Sequence, residues 1–253
     1  MKYKLLAIDL DGTLLSEDKT MSSRNQHWLR RAVDAGLVVA LATGRGMPKV
    51  QSYLDELGLD LPLVLANGAE VWANSQQLLA RQLLSEEVVR ALHGLAEEHG
   101  AHYWGYSVDR LVRRRDWIHS LFAEEWLKFG LRHDDRRLIA QLREIVRSWE
   151  TAEVTYAAPN TLEVTARGVT KASGIARLCQ HFGFTMGDVA SIGDSHNDLH
   201  LMQSTGLAVA MGNAEELIKN VSDVVTLSEN DHGVAHAISH FILESAGKDQ
   251  NGP

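Results

Sequence analysis

The sequence predicts an α/β protein, a doubly wound parallel sheet interrupted by a separate small α+β unit. Apolar runs at 4–8, 37–42, 63–65, 189–192 and 207–210 have no alternating polar face, as expected of strands covered by helices on both sides. A helical pattern follows most of these runs, giving the βα alternation of a parallel sheet. Between 83 and 166 the texture changes to strands that alternate polar and apolar residues, which suits an antiparallel sheet with one wet face. The expected division is therefore a discontinuous core, 1–82 and 167–253, with an insertion at 83–166.

In chain order, the run Lys4-Leu5-Leu6-Ala7-Ile8 delivers Asp9-Leu10-Asp11-Gly12-Thr13. Ser22 or Ser23 caps a helix to Ala35, closed by Gly36. Strand 37–42 ends in Thr43-Gly44-Arg45-Gly46, and a helix over 48–57 carries Pro48 near its start and Gly58 just past its end. Strand 63–65 ends in Asn67-Gly68-Ala69. The insertion reads as a helix over 85–99, strands 101–106 and 111–114, a helix over 117–128 followed by Gly130, a helix over 136–149, and strands 153–156 and 161–165 around Pro159-Asn160. A helix–strand–strand unit thus occurs twice, with one extra helix between. The core resumes with a helix over 171–182 and strand 189–192, which ends in Gly193-Asp194-Ser195-His196-Asn197-Asp198. A helix runs to about Gln203, strand 207–210 follows, then a short helix, a strand at 224–225 and a last helix over 233–243. Small polar residues at 245–253 read as a frayed tail.

Composition excludes several functions. The 253 residues are 45% hydrophobic and 23% charged, with net charge −8 and no basic block longer than Arg113-Arg114-Arg115. Nucleic-acid and anionic-membrane binding depend on clustered Lys and Arg, so neither partner is expected. No run approaches the roughly 20 apolar residues of a membrane span, and Asp9 and Asp11 interrupt the first apolar run too early for a signal peptide. The single cysteine, Cys179, lies in a helical pattern and suits a core position in a reduced compartment. The expected location is cytoplasmic.

Ligands of open parallel sheets sit beyond the carboxyl ends of the strands. Those ends carry Asp9 and Asp11, two residues apart and on the same side of the strand, then Thr43, then Asp194 with Asn197 and Asp198. Four carboxylates with no fixed arginine among them form an oxygen-rich cluster that suits Mg²⁺. The Thr43 hydroxyl and Gly44 backbone N–H suit a phosphate oxygen, and Lys171 could reach both a phosphate and a carboxylate.

Asp9-Leu10-Asp11-Gly12-Thr13, Ala42-Thr43-Gly44-Arg45, Gly168-Val169-Thr170-Lys171 and Gly193-Asp194-Ser195-His196-Asn197-Asp198 resemble, in order, the four motifs of the haloacid dehalogenase-like hydrolase superfamily. More narrowly, the chain resembles its Cof-type phosphatases with a large C2-type (IIB) inserted cap, over nearly its whole length. The resemblance implies a Rossmann-like core and a Mg²⁺-dependent phosphomonoester hydrolase. Asp9 would attack phosphorus to form an aspartyl-phosphate, and Asp11 would serve as general acid and then base. Asp9, the Asp11 backbone carbonyl and Asp194 would hold the metal, with Asp198 in support. Thr43, Gly44, Lys171 and Asn197 would bind the phosphoryl group. The expected substrate is a small phosphorylated metabolite such as a sugar phosphate. A phosphomutase using the same intermediate, or a non-catalytic phospho-ligand sensor, are the alternatives. One departure is Ala172-Ser173-Gly174 after Lys171, where the family usually has glycine directly after lysine; only helix packing should differ.

Other candidates have plainer explanations. His196 reads as a solvated loop residue, and His232, His236 and His240 as the polar outer face of the last helix rather than a zinc site. Trp104, Trp117, Trp126 and Trp149 mostly read as core of the insertion. Arg113, Arg114 and Arg115 could face a second anionic group on the substrate, but solvated edge-strand protection explains them more simply.

Overall fold

The computed structural model describes residues 2–243; the tail expected at 245–253 lies outside the described residues. The chain opens with β1 (Leu5–Ile8), α1 (Ser23–Asp34), β2 (Val38–Ala42), α2 (Gln51–Leu57) and β3 (Leu63–Leu65), then forms a hairpin of β4 (Glu70–Asn74) and β5 (Gln77–Arg81). It leaves for α3 (Glu86–Glu98), β6 (His102–Ser107), β7 (Leu111–Arg113), β8 (Trp126–Arg132), α4 (Arg136–Arg147), β9 (Ala152–Thr155) and β10 (Thr161–Ala166). It returns through α5 (Lys171–Phe182), β11 (Val189–Gly193), α6 (Leu199–Ser204), β12 (Leu207–Ala210), α7 (Glu216–Val221), β13 (Val224–Val225) and α8 (Gly233–Ala237).

The larger sheet has strand order β13-β12-β11-β1-β2-β3-β4-β5. It is parallel from β13 to β3 and antiparallel over the final hairpin. Early connections run from β1 towards β3, while the later strands are laid down on the other side, beside β11. The order therefore reverses at the β1/β11 boundary, where an open α/β sheet leaves a crevice above its strand ends. Leu6, Ile8 and Leu41 pack with Leu29, Ile218 and Val234 on one face, and Leu5, Ala7 and Ala40 with Ile175, Leu178 and Cys179 on the other. Each central strand is thus buried on both sides, which is why its sequence is apolar throughout. Helix ends follow local chemistry: the Ser22 hydroxyl accepts from Asn25 N–H before α1, and Gly58 and Gly183 close α2 and α5 in the left-handed conformation.

The insertion forms a five-stranded antiparallel sheet, order β7-β6-β8-β10-β9. Helices α3 and α4 cover one face through Val89, Leu92, Ile139 and Leu142, which meet Trp126, Phe129 and Leu131. The expected helix over 117–128 does not form. Leu121, Phe122 and Trp126 recur at helical spacing, but only a short 3₁₀ turn, His119–Ala123, precedes Trp126 at the head of β8. Strand β8 is central, paired by both β6 and β10, and those two ladders outweigh the local helical pattern. The hairpin β4/β5 was not expected from the sequence; it extends the sheet beyond β3 and carries the chain towards the insertion.

Candidate active site

Asp9 follows directly on strand β1 and is buried, and Lys171 is the residue that meets it. Thr170 caps α5 by accepting from Ser173 N–H, so Lys171 stands in the first helical turn. The loop after β3 presses on that turn: a Cβ at Gly68, whose φ is +106°, would lie 2.2 Å from the Thr170 carbonyl oxygen. Held there with no exposed surface, Lys171 donates from Nζ to Asp9 Oδ1 at 2.6 Å and to Asp198 Oδ1 at 2.8 Å. The other Asp198 oxygen accepts the Asp194 and Ser195 N–H groups, each at 3.2 Å. Asp194 accepts from the Thr13 hydroxyl at 2.8 Å and packs against Gly12, where a Cβ would fall 2.6 Å from its Oδ2. Oxygens of Asp9, Asp194 and Asp198 all lie within 4.8 Å of one another.

One lysine among two buried acids and a half-buried third leaves negative charge under-compensated. Burial pushes the Asp9 carboxyl up to about 7; Lys171 pulls it down and Asp198 pushes it further up. Burial, aided by Asp9 and Asp198, also raises Asp194 well above the usual carboxylate range.

Asp11 behaves differently. Arg45 donates to both its oxygens, from Nε at 2.7 Å and Nη2 at 2.6 Å, and Lys19 lies 2.9 Å away. Burial favours the neutral acid, but these hydrogen bonds outweigh it and hold Asp11 down to about 2. An arginine is therefore fixed against the carboxylates, contrary to the sequence expectation. The Asp11 carboxylate, expected on the same side as Asp9, stands apart from the acid triad. The order of the two pKa values is also the reverse of what nucleophile and acid require at the moment of attack. Of the other expected residues, Thr43 and Asn197 are buried and line one cavity with Asp9, Asp11 and Gly44.

The insertion supplies the far wall of this cavity, of about 160 Å³, through Trp104, Tyr106, Lys128 and Glu163. Lys128 Nζ donates to Glu163 Oε2 at 2.9 Å, and the fully buried Asn67 donates to the same oxygen at 2.7 Å. A Cβ on Gly44 would lie 3.0 Å from both Lys128 Nζ and Asn67 Oδ1, and one on Gly46 would lie 2.7 Å from the Tyr106 ring. Sequence reasoning did not find Lys128 or Glu163, which sit in strands without a motif. Arg45 was visible inside a motif but lacked a role until its partner was known.

His196 is not a solvated loop residue. Its ring stacks on Tyr156 of the insertion with centroids 4.0 Å apart, and the Arg143 guanidinium lies 3.7 Å over the same tyrosine ring. The C-terminal histidines have partners of their own: His232 contacts Ser22, while His236 meets Thr226 and stacks on His240. Among the described residues, only Asp9, Asp194 and Asp198 group as a candidate metal cluster.

The profile of the haloacid dehalogenase-like hydrolase family matches residues 6–132 and 112–238. A 5-amino-6-(5-phospho-D-ribitylamino)uracil phosphatase of Bacillus subtilis, YcsE, is 35% identical over 95% of this chain and 96% of its own. The pyridoxal phosphate phosphatase YbhA of Escherichia coli is 25% identical over 96% of this chain and its own full length. A haloacid dehalogenase-like hydrolase structure from B. subtilis superposes with TM-score 0.89 over 94% of this chain and 99% of its own, at 24% identity.

Proposed function

This chain belongs to the haloacid dehalogenase-like hydrolase family and is a phosphatase of small phosphorylated metabolites, and from that premise we propose that it cleaves a sugar or polyol phosphomonoester through an aspartyl-phosphate on Asp9. The observation that carries the reading is the buried Lys171–Asp9 contact at 2.6 Å, inside a triad of acids at the sheet's switch point. Asp9 would attack phosphorus in line while the bond to the leaving oxygen breaks. Lys171, the Thr43 hydroxyl and the Gly44 N–H would hold the phosphoryl oxygens, and Asn197 would support them.

Asp11 would protonate the departing alkoxide and then accept a proton from the water that opens the acyl phosphate. Arg45 and Lys19 hold it in the form that accepts a proton, so its acid role requires that it leave Arg45. Oxygen-only donors with surplus negative charge fit a hard divalent cation, and we assign Mg²⁺ to Asp9, Asp194 and the Asp11 backbone carbonyl. Asp198, whose oxygens already accept Lys171 and two backbone N–H groups, would act in support. Bound there, Mg²⁺ would offset the charge on Asp9 and the phosphoryl oxygens.

Phosphate release from a panel of phosphomonoesters tests this reading. Asp9→Asn should reduce it by roughly 10⁴-fold or more, and EDTA should abolish it until Mg²⁺ is restored. Release that survives either treatment would refute the covalent or the metal assignment respectively. An isomerised product without free phosphate would instead identify a mutase.

A further inference from the structure

Three consecutive residues after β3 hold left-handed backbone: Ala66 at φ +49°, Asn67 at +59° and Gly68 at +106°. Glycine adopts that conformation freely and asparagine tolerates it, but alanine has no side-chain hydrogen bond to compensate. Such a run persists only where its surroundings over-determine it. Two sets of contacts do so here, from opposite sides.

On the core side, the run is bonded to the elements that carry the phosphoryl-binding groups. Ala66 N–H donates to the Arg45 carbonyl at 2.8 Å, and Asn67 N–H to the Thr43 carbonyl at 3.0 Å. Asn67 Oδ1 lies against Gly44, where a Cβ would fall 3.0 Å from it. Gly68 seats the Thr170 carbonyl at the head of α5, one residue before Lys171. On the insertion side, Ala66 is buried with Tyr106 and Leu127. Asn67 Nδ2 donates to Glu163 Oε2 at 2.7 Å and to Thr155 Oγ1 at 3.2 Å. Reversing the Asn67 amide would set its Oδ1 against the Glu163 carboxylate, so Glu163 fixes its orientation. That orientation leaves Oδ1 buried without a partner among the described residues. An orphaned buried acceptor is costly, and the fold tolerates it where Asn67 meets Gly44.

Resting on the hydrolase reading, we propose that Asn67 is a positioning residue: the insertion's hold on its amide keeps residues 66–68 left-handed, and that backbone sets Thr43, Gly44 and Lys171 around the phosphoryl group. Without the hold, Ala66 and Asn67 are free to leave the left-handed region, and the bonds to the Thr43 and Arg45 carbonyls go with them. The turn after β2 and the start of α5 then lose their common brace. The effect falls on the transferring group itself and is the same whichever alcohol leaves.

The test uses the full chain with Mg²⁺, p-nitrophenyl phosphate as substrate and orthovanadate as competitive inhibitor. Orthovanadate mimics the phosphoryl group and has no leaving group, so its inhibition constant reads that grip alone. Asn67→Gly places at φ +59° a residue that accepts it, and removes only the amide side chain. Thr155→Val keeps the shape of a β9 residue that does not border the catalytic cavity. Asn67→Gly should raise the orthovanadate inhibition constant roughly ten- to a hundredfold and lower kcat for p-nitrophenyl phosphate. Thr155→Val should do the same severalfold. The double variant should match Asn67→Gly, because the Thr155 contact acts through the amide. Inhibition constants equal to the parent's in both single variants, even with a lowered Tm, would make Asn67 structural only and overturn the proposal. An undiminished Thr155→Val effect in the Asn67→Gly background would overturn it too. Both results leave the hydrolase reading standing, whereas a parent chain that releases no phosphate from p-nitrophenyl phosphate overturns both.

Discussion

Lys171 has no exposed surface and is ion-paired with two buried acids, Asp9 and Asp198, so its removal should affect both activity and stability. Lys171→Met leaves Asp9 and Asp198 without their shared partner. A loss of roughly 3–5 kcal/mol is expected from breaking a buried pair by one side, together with roughly 10²–10³ in kcat/KM. Urea unfolding and phosphate release measure the two; activity within tenfold of the parent would refute a role for Lys171 in holding the phosphoryl group. Asp9, Asp194, Asp198 and Lys171 were legible because each ends a strand or begins a helix, and their positions follow from local pattern plus one rule about parallel sheets. Arg45 was less so. Its contact with Asp11 spans 34 residues and depends on how two neighbouring loops turn, which no local pattern specifies. The Lys128–Glu163 pair spans 35 residues and depends on which face of an antiparallel sheet meets the core.

At the scale of elements, α5 is held against the sheet by a small residue. A Cβ on Gly174 would fall 2.4 Å from Val64 Cγ1 and 3.4 Å from Gly68 Cα. Gly174→Ala gains about 1 kcal/mol in helix propensity but forces the helix off β3 at a cost of about 1–3 kcal/mol. Net destabilisation in urea unfolding is the expected result; a more stable variant would refute the tight seat. Helix α3 allows a pH test. His93 stacks on Trp117 at 4.8 Å and contacts the Tyr103 hydroxyl at 3.1 Å, and burial lowers its pKa. The fold therefore prefers the neutral ring. This preference contributes fully above the unfolded value of about 6.5, and is lost as pH falls below it, because the unfolded chain binds the proton first. His93→Gln should show a smaller drop in Tm from pH 7.5 to 5.5 than the parent; equal slopes would remove His93 as a cause. The parallel strands could be read from their apolar runs because both faces are covered. Strand β8 could not, since its identity is set by the partners β6 and β10 rather than by its own spacing.

Across the whole molecule, two side-chain contacts add to the packing of Tyr106 and Leu127 against Ala66 and Ala69 in seating the insertion over the strand ends. Asn67, on the loop after β3, reaches Thr155 and Glu163 of the insertion, and Tyr156 stacks on His196 of the loop after β11. The first is buried and polar, and its Glu163 lines the cavity of the candidate site, so altering it would confound closure with chemistry. The second lies to one side and can be removed alone. Tyr156→Ala forfeits an aromatic stack worth about 0.5–1.5 kcal/mol and uncovers the Arg143 guanidinium, which stays bound to the Ala158, Pro159 and Thr161 carbonyls. Where this stack holds the insertion closed, its loss would shift the balance towards an open form by roughly 2- to 12-fold, since 1.4 kcal/mol is a factor of ten. The open form admits water and loosens the wall formed by Trp104 and Lys128. The expected result is a higher KM, a larger radius of gyration in small-angle X-ray scattering, and partial return towards the parent profile in Tyr156→Phe, which keeps the stack. Scattering and kinetics indistinguishable from the parent would show that the stack does not control closure, leaving that task to Asn67 and Glu163.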